Sequence, residues 1–145
     1  MIPAVLNTVL LLAISGLHMY WAVGGKWGAA VAIPELPGKA KAFSPGPFAT
    51  LFVAAGLAVM AGLHLQKIGW LPIPLPNWLA QYGLWVVGGI FFLRVIGDFR
   101  YVGFFKRITD TAFAKMDTEL YIPLCLTISI SAFWTAVSIE DQITL

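Results

Sequence analysis

Residues 79–100 read LAQYGLWVVGGIFFLRVIGDFR, an apolar run that ends in three charged side chains. A helix rises about 1.5 Å per residue, so the part from Leu79 to Ile96 is long enough to cross a bilayer core of about 30 Å. A charge at membrane depth costs about 2.5–3.5 kcal/mol on insertion scales, which makes Arg94 a candidate functional residue with a partner to be found. The stretch therefore predicts a transmembrane helix with a charged site at one end.

Three further apolar segments give the chain its class. The four predicted spans cover residues 2–23, 48–65, 79–96 and 120–139 of the 145-residue sequence. Hydrophobic residues make up 59% of the chain and charged residues 11%, where soluble domains carry about 25% charged residues. We predict an all-α, polytopic membrane protein, in which residues 1–145 form a single four-transmembrane-helix bundle. The first segment lacks a basic start and a small-residue cleavage site, which favours a retained helix over a signal peptide.

The basic residues of the loops predict the orientation. Seven of them lie in the first and third loops and one in the second: Lys26, Lys39 and Lys41; Arg100, Lys106, Arg107 and Lys115; and Lys67. By the positive-inside rule, the first and third loops are cytoplasmic and both termini face outward.

Several classes of function are disfavoured. A net charge of +2 does not indicate a nucleic-acid partner. The single cysteine, Cys125, has no internal disulfide partner. His18 and His64 are expected at opposite ends of the bundle, so we predict no metal site, and no motif indicates a cofactor.

The predicted topology brings polar residues of several helices to the cytoplasmic side. Arg94 and Asp98 are four residues apart, so we expect them to lie on one helix face, where they can pair with each other. The third loop mixes basic and aromatic residues, a combination that binds anionic headgroups. The candidate ligand-binding residues are His18, Trp21, Arg94, Asp98, Arg100, Lys106, Arg107 and Asp117. A purely structural role is equally open, since an Arg–Asp pair can neutralise itself while it pins two helices together.

Several motifs of this chain resemble a known family. They are the run from His18 to Gly28, Phe43-Ser44-Pro45, the run from Arg94 to Lys106, and Phe113-Ala114 with Asp117 and the run from Tyr121 to Cys125. Together they resemble a family of small bacterial four-helix membrane proteins known only as a domain of unknown function. The resemblance implies a four-helix membrane architecture, supports the third-loop cluster as a family signature, and implies no activity. Together with the orientation predicted from the basic residues, it leads us to expect a multi-pass protein of the bacterial inner membrane with periplasmic termini.

Three functional hypotheses follow. The sequence favours a non-catalytic membrane protein that binds an anionic amphiphile or lipid, or a partner subunit, through the cytoplasmic Arg/Asp/aromatic cluster. The first alternative is a small enzyme acting on a lipid or quinone-like substrate, with His18 or Asp117 as general base and Arg94 or Arg100 stabilising negative charge. The second is an accessory subunit of a larger respiratory or photosynthetic complex. Small-residue ridges on the helices can also serve contacts in a homo-oligomer.

Overall fold

The computed structural model describes residues 1–34 and 45–140. Lys39 and Lys41 of the orientation argument, and Phe43 and Ser44 of the family motif, lie outside these ranges. Within them, the elements are α1 (Ile2–Ala22), α2 (Ala29–Ala32), α3 (Pro47–Lys67), α4 (Asn77–Ile96), α5 (Ala112–Met116), a π-helical turn (Asp117–Tyr121) and α6 (Ile122–Glu140). The predicted all-α class is confirmed.

Four helices of the described chain are long and apolar enough to cross a membrane. They are α1, α3, α4 and the continuous helix Ala112–Ser138, which runs through α5, the π-helical turn and α6. This last helix begins before residue 120, where the sequence predicted its span to start. The hydroxyl of Thr111 caps it by accepting a hydrogen bond from the Ala114 N–H at 3.1 Å. The predicted span started at residue 120 because charged residues occur between Ala114 and that position. In the structure the helix continues through these charged residues.

The bundle consists of two closely packed helix pairs. One pair is α1 with α3 and the other is α4 with α6, while contacts between α1 and α6 join the pairs. The core where they meet contains Leu11 of α1, Ala61 of α3, Val87 of α4 and Ile128 of α6. Small buried residues such as Ala61 let the helix backbones approach closely, as is usual between transmembrane helices. The packing brings the end of α1 and the start of α3 together, and it sets the end of α4 against the start of the last long helix.

Candidate functional site

The loop after α4 turns sharply because one carboxylate organises its backbone. Asp98 Oδ1 accepts hydrogen bonds from three backbone N–H groups, those of Arg100 at 2.9 Å, Tyr101 at 2.7 Å and Val102 at 2.9 Å. The Asp98 N–H in turn donates to the Val102 carbonyl at 3.2 Å. A short polar side chain that bonds the backbone a few residues ahead is a common way to start a turn. The loop is therefore a defined structure rather than an open connection.

The pairing of Arg94 with Asp98 that the sequence predicted is wrong. Helix α4 ends at Ile96, and Gly97 follows with a φ of +86°, so Asp98 lies beyond the helix. The four-residue spacing brings side chains together only on a continuous helix. Asp98 instead bonds its own loop, and Arg94 pairs with a residue of another helix.

Two glycines let the loop fold back onto the end of α4. Gly97 and Gly103 both have positive φ, and their backbones are in direct contact, so a Cβ on either would collide with the other strand of the loop. The Phe104 N–H donates to the Val95 carbonyl at 2.7 Å and ties the returning chain to the helix. This close approach carries the backbone of Gly103 to the start of the last long helix.

Asp117 lies at the centre of the group of residues that we call the Asp117 cluster: Arg94, Gly103, Lys106, Asp117 and Thr118. The Asp117 side chain is 0% exposed, and both of its oxygens accept hydrogen bonds. Oδ1 accepts from Arg94 Nη2 at 2.7 Å. Oδ2 accepts from the Gly103 N–H at 2.9 Å and from Lys106 Nζ at 3.2 Å. The carboxylate therefore joins α4, the loop and the π-helical turn.

Lys106 is fully committed to this cluster. Its side chain is only 5% exposed, and besides Asp117 it donates to the Thr118 hydroxyl at 2.7 Å and the Gly103 carbonyl at 3.3 Å. An ammonium group has three donor hydrogens, and each has an acceptor here. The Thr118 hydroxyl accepts from Lys106 because its own hydrogen goes to the Ala114 carbonyl at 3.1 Å. Lys106 thus has a structural function in the cluster.

Arg94 is the cation of the cluster that has an unused hydrogen-bond donor. Its Nη2 donates to Asp117, but its Nη1 is buried and has no hydrogen-bond partner in the described part of the chain. The Arg94 side chain as a whole is 31% exposed, whereas its Nη1 is buried. Two cations against one carboxylate leave the cluster with one net positive charge. A buried unpaired donor costs about 1–3 kcal/mol, and more when it is charged.

The surface of the loop is aromatic and basic. Phe105 stacks on Phe99 with ring centroids 6.0 Å apart and meets Phe104 edge to face at 5.4 Å, and all three rings are exposed. The Arg100 guanidinium lies over the Tyr101 ring at 5.2 Å, in a cation–π contact. Exposed phenylalanines beside basic residues are typical of a surface that contacts lipid headgroups and the acyl chains below them.

The predicted site residues divide into three groups. Arg94, Lys106 and Asp117 come together in the Asp117 cluster. Asp98, Arg100 and Arg107 belong to the adjoining loop, where Asp98 organises the turn while Arg100 and Arg107 are exposed at its surface. His18 and Trp21 lie apart from both groups, in a cavity at the end of α1.

Partial burial alone would raise the pKa of Asp98. The backbone hydrogen bonds that its carboxylate accepts outweigh this effect, however, and hold the pKa below its ordinary value. The turn therefore favours the ionised side chain, which adds a negative charge next to Arg100.

Sequence reasoning missed the contributions of Gly103 and Thr118. The Gly103 backbone N–H carries no sequence signal, since every residue except proline has one. Two glycines six residues apart, Gly97 and Gly103, with an aspartate directly after the first, do indicate a tight turn. In the described ranges, no group of three or more His, Cys, Asp or Glu side chains is arranged to hold a metal ion.

Comparison with known proteins places the chain in a family. No curated protein and no solved structure shows a significant match to it. A family model described as "Protein of unknown function (DUF3995)" matches residues 11–132. The matched region holds the whole Asp117 cluster and most of the membrane-spanning sequence. The chain therefore belongs to the DUF3995 family.

Proposed function

We propose that this multi-pass membrane protein binds an anionic amphiphile, such as an acidic lipid, through the Asp117 cluster and the aromatic loop beside it. The observation that carries the proposal is the buried Arg94 Nη1, which lacks an acceptor in a cluster of net charge +1. An anionic oxygen placed against this nitrogen would complete the hydrogen bonding of the guanidinium and neutralise the excess charge.

The chemistry of arginine favours a phosphate or carboxylate as that anion. Guanidinium is planar and presents its donors as a fork, so Nη2 can donate to Asp117 while Nη1 donates to an external oxyanion. Arg94 also lies where helix α4 ends, which is the depth of a lipid headgroup rather than of the bilayer centre. An acidic headgroup meets both requirements.

The loop supplies the remaining contacts for an amphiphile. Arg100 and Arg107 are exposed, and each basic residue near an anionic surface contributes about 1 kcal/mol of attraction. Phe99, Phe104 and Phe105 offer exposed apolar area for the upper part of an acyl chain.

The contacts of Asp117 disfavour the enzymatic alternative. A general base must come within hydrogen-bond reach of the proton it removes, but the Asp117 side chain is 0% exposed and is enclosed by Arg94, Gly103 and Lys106. No hydrogen bond or ion pair among the described residues links His18 to the cluster, so the alternative lacks a convergent pair of catalytic groups.

The test is native mass spectrometry of the protein in lipid nanodiscs made from phosphatidylglycerol and phosphatidylcholine. We expect wild-type protein to retain phosphatidylglycerol selectively. Arg94→Lys keeps the charge and removes the fork, and we expect it to lower phosphatidylglycerol retention about tenfold, equivalent to about 1.4 kcal/mol. Arg107→Lys is the matched control and should leave retention unchanged. Equal retention of both lipids, or of phosphatidylglycerol by wild type and Arg94→Lys, would refute the proposal, and a retained partner chain without lipid would favour the accessory-subunit alternative.

A further inference from the structure

A separate cavity lies between the end of α1, the short helix α2 and the first turns of α3. Its volume is about 400 Å³, within the range of about 300–1,000 Å³ that is usual for small-molecule sites. By comparison, a cavity of about 150 Å³ holds benzene. Three lining side chains carry polar atoms, His18, Trp21 and Thr50, and the other described lining residues are apolar. The cavity therefore has the size and composition of a ligand site.

The donor hydrogens of these three side chains are already used. His18 Nδ1 lies 2.8 Å from the Ile14 carbonyl, which can only accept, so Nδ1 carries the hydrogen. Trp21 Nε1 donates to the Trp27 carbonyl at 2.7 Å. The Thr50 hydroxyl donates to the Gly46 carbonyl at 3.1 Å.

What these side chains still offer is acceptors. In the neutral imidazole, a hydrogen on Nδ1 leaves the lone pair of His18 on Nε2, and the Thr50 oxygen keeps its lone pairs as well. None of the described lining residues is charged. A ligand that matches this lining is itself neutral and donates a hydrogen bond.

The walls add a preference for a ring. The His18 and Trp21 rings meet edge to face, with centroids 5.1 Å apart and planes at 64°, so two aromatic rings in contact form part of the cavity wall. Aromatic pairs in offset or edge-to-face contact are more favourable than their buried area alone implies. The aliphatic side chains of Ile33 and Val53 complete an apolar lining.

From this combination we infer that the cavity binds a small neutral aromatic alcohol of one or two rings, whose hydroxyl donates to His18 Nε2. This site is chemically opposite to the Asp117 cluster, which has an unused donor and excess positive charge. The inference does not rest on the proposed function, because it uses neither the cluster nor an anionic ligand. Neutral ring alcohols partition into bilayers, so a membrane protein meets them at high local concentration.

The ring-nitrogen NMR spectrum of the full-length protein in nanodiscs tests the inference directly. The chain has only two histidines, His18 and His64, so ¹⁵N-labelled histidine gives two sets of resonances, which a His18→Phe variant assigns. We expect 1-naphthol at pH 8 to shift the His18 Nε2 resonance in a saturable manner. His64, which bonds Asn7 inside the bundle, is the internal control and should not move. This readout is insensitive to probe that merely dissolves in the lipid.

A matched probe and a matched variant complete the design. 1-Methoxynaphthalene has the same rings without a donor hydrogen, and we expect its half-saturation concentration to be about tenfold higher, as for the loss of one good hydrogen bond. Ala49→Trp fills the cavity and should abolish the response to 1-naphthol, while Ala58→Trp on the same helix, outside the lining, should preserve it. An unmoved His18 resonance, an equal response to both probes, or a parallel shift of His64 would each overturn the inference. The comparison of the two probes needs only wild-type protein, so it stands even if a variant fails to fold.

Discussion

Arg94 Nη2 donates to Asp117 Oδ1 across 2.7 Å, and this ion pair joins the end of α4 to the π-helical turn that begins the last long helix. The two residues are 23 positions apart in the chain, so the contact depends on the packing of α4 against α6. Lys106 approaches the same carboxylate from the loop between the helices. Since π-helical turns occur frequently at functional sites, the position of Asp117 supports the importance of this end of the bundle.

Asp117→Leu should strongly destabilise the protein. The substitution leaves the Lys106 ammonium buried without a countercharge, and removal of one partner from a buried ion pair costs about 3–5 kcal/mol. Thermal unfolding in detergent, followed by circular dichroism, measures the effect. Asp110→Leu is the control, because Asp110 is exposed and joins no ion pair of the described chain. Equal melting temperatures for the two variants would contradict a structural role of the cluster.

Gly103→Ala should disrupt the loop. The new Cβ would collide with the backbone of Gly97, and Gly103 also has a φ of +87°, which disfavours any L-residue. We expect the free energy of unfolding to fall by about 1–3 kcal/mol or more, and proteolysis within residues 97–107 to become faster. Gly89→Ala provides the comparison, since a Cβ there meets no atom within 4 Å and replaces glycine inside a helix. That variant should be as stable as wild type or slightly more stable.

The loop should open when the Asp98 carboxylate is protonated. Its pKa in the folded protein lies below the ordinary value of 3.8, so its ionised form stabilises the turn. That stabilisation is fully present above about pH 3.8 and is lost as the pH falls through the lower, folded-state pKa. Hydrogen exchange of the Arg100, Tyr101 and Val102 amides reports it. In wild type, the protection of these three amides should fall as the pH drops through the folded-state pKa of Asp98, while other amides keep theirs. Asp98→Asn should show weak protection of the three amides at every pH. Protection that is the same in both proteins at pH 6 would argue against the carboxylate as the organiser of the turn.

A second polar contact, far from the Asp117 cluster in the sequence, should couple α1 to α3. Asn7 Nδ2 donates to His64 Nε2 at 3.0 Å and to the Ile128 carbonyl at 2.9 Å, and both side chains are fully buried. A double-mutant cycle with Asn7→Leu and His64→Leu should give a coupling energy of about 0.6 kcal/mol, and at most about 1.7 kcal/mol, as for other hydrogen bonds between transmembrane helices. Thr127→Val is the control partner, because its hydroxyl bonds Pro123 within its own helix. The same coupling energy in the His64–Thr127 cycle as in the His64–Asn7 cycle would contradict a specific contact between Asn7 and His64.

The length and apolarity of the segments predicted the all-α membrane class because they reflect a constraint that acts on each segment separately. In a bilayer, the backbone must satisfy its own hydrogen bonds, so an apolar run of sufficient length has to be helical. The same logic identified Arg94, since a charge at the end of such a run needs a partner. It also placed Asp117 among the candidates, although not as that partner.

Local spacing predicted the wrong partner for Arg94 because it assumes that the helix continues. Gly97 has a positive φ and follows Ile96, the last residue of α4, so Asp98 lies beyond the helix. The contact between Gly97 and Gly103 then directs the loop toward Asp117. A similar limit applies to His18, which the sequence grouped with the charged residues because it lies at the same depth. Depth follows from position along a helix, whereas contact also depends on how each helix is rotated and which helix is its neighbour.

The sequence by itself determined that this protein is a four-helix membrane bundle, and that charged and aromatic side chains of several helices lie with His18 at one end of it. Only the tertiary structure decided that Asp117 binds both Arg94 and Lys106, that one guanidinium nitrogen keeps an unused donor, and that His18 lines a separate cavity. The physical reason is that hydrophobicity is a property of each segment and can be summed along the chain. Hydrogen bonds between residues on different helices require donor–acceptor distances that are correct to within a few tenths of an ångström. These distances are set jointly by the packing of all the helices.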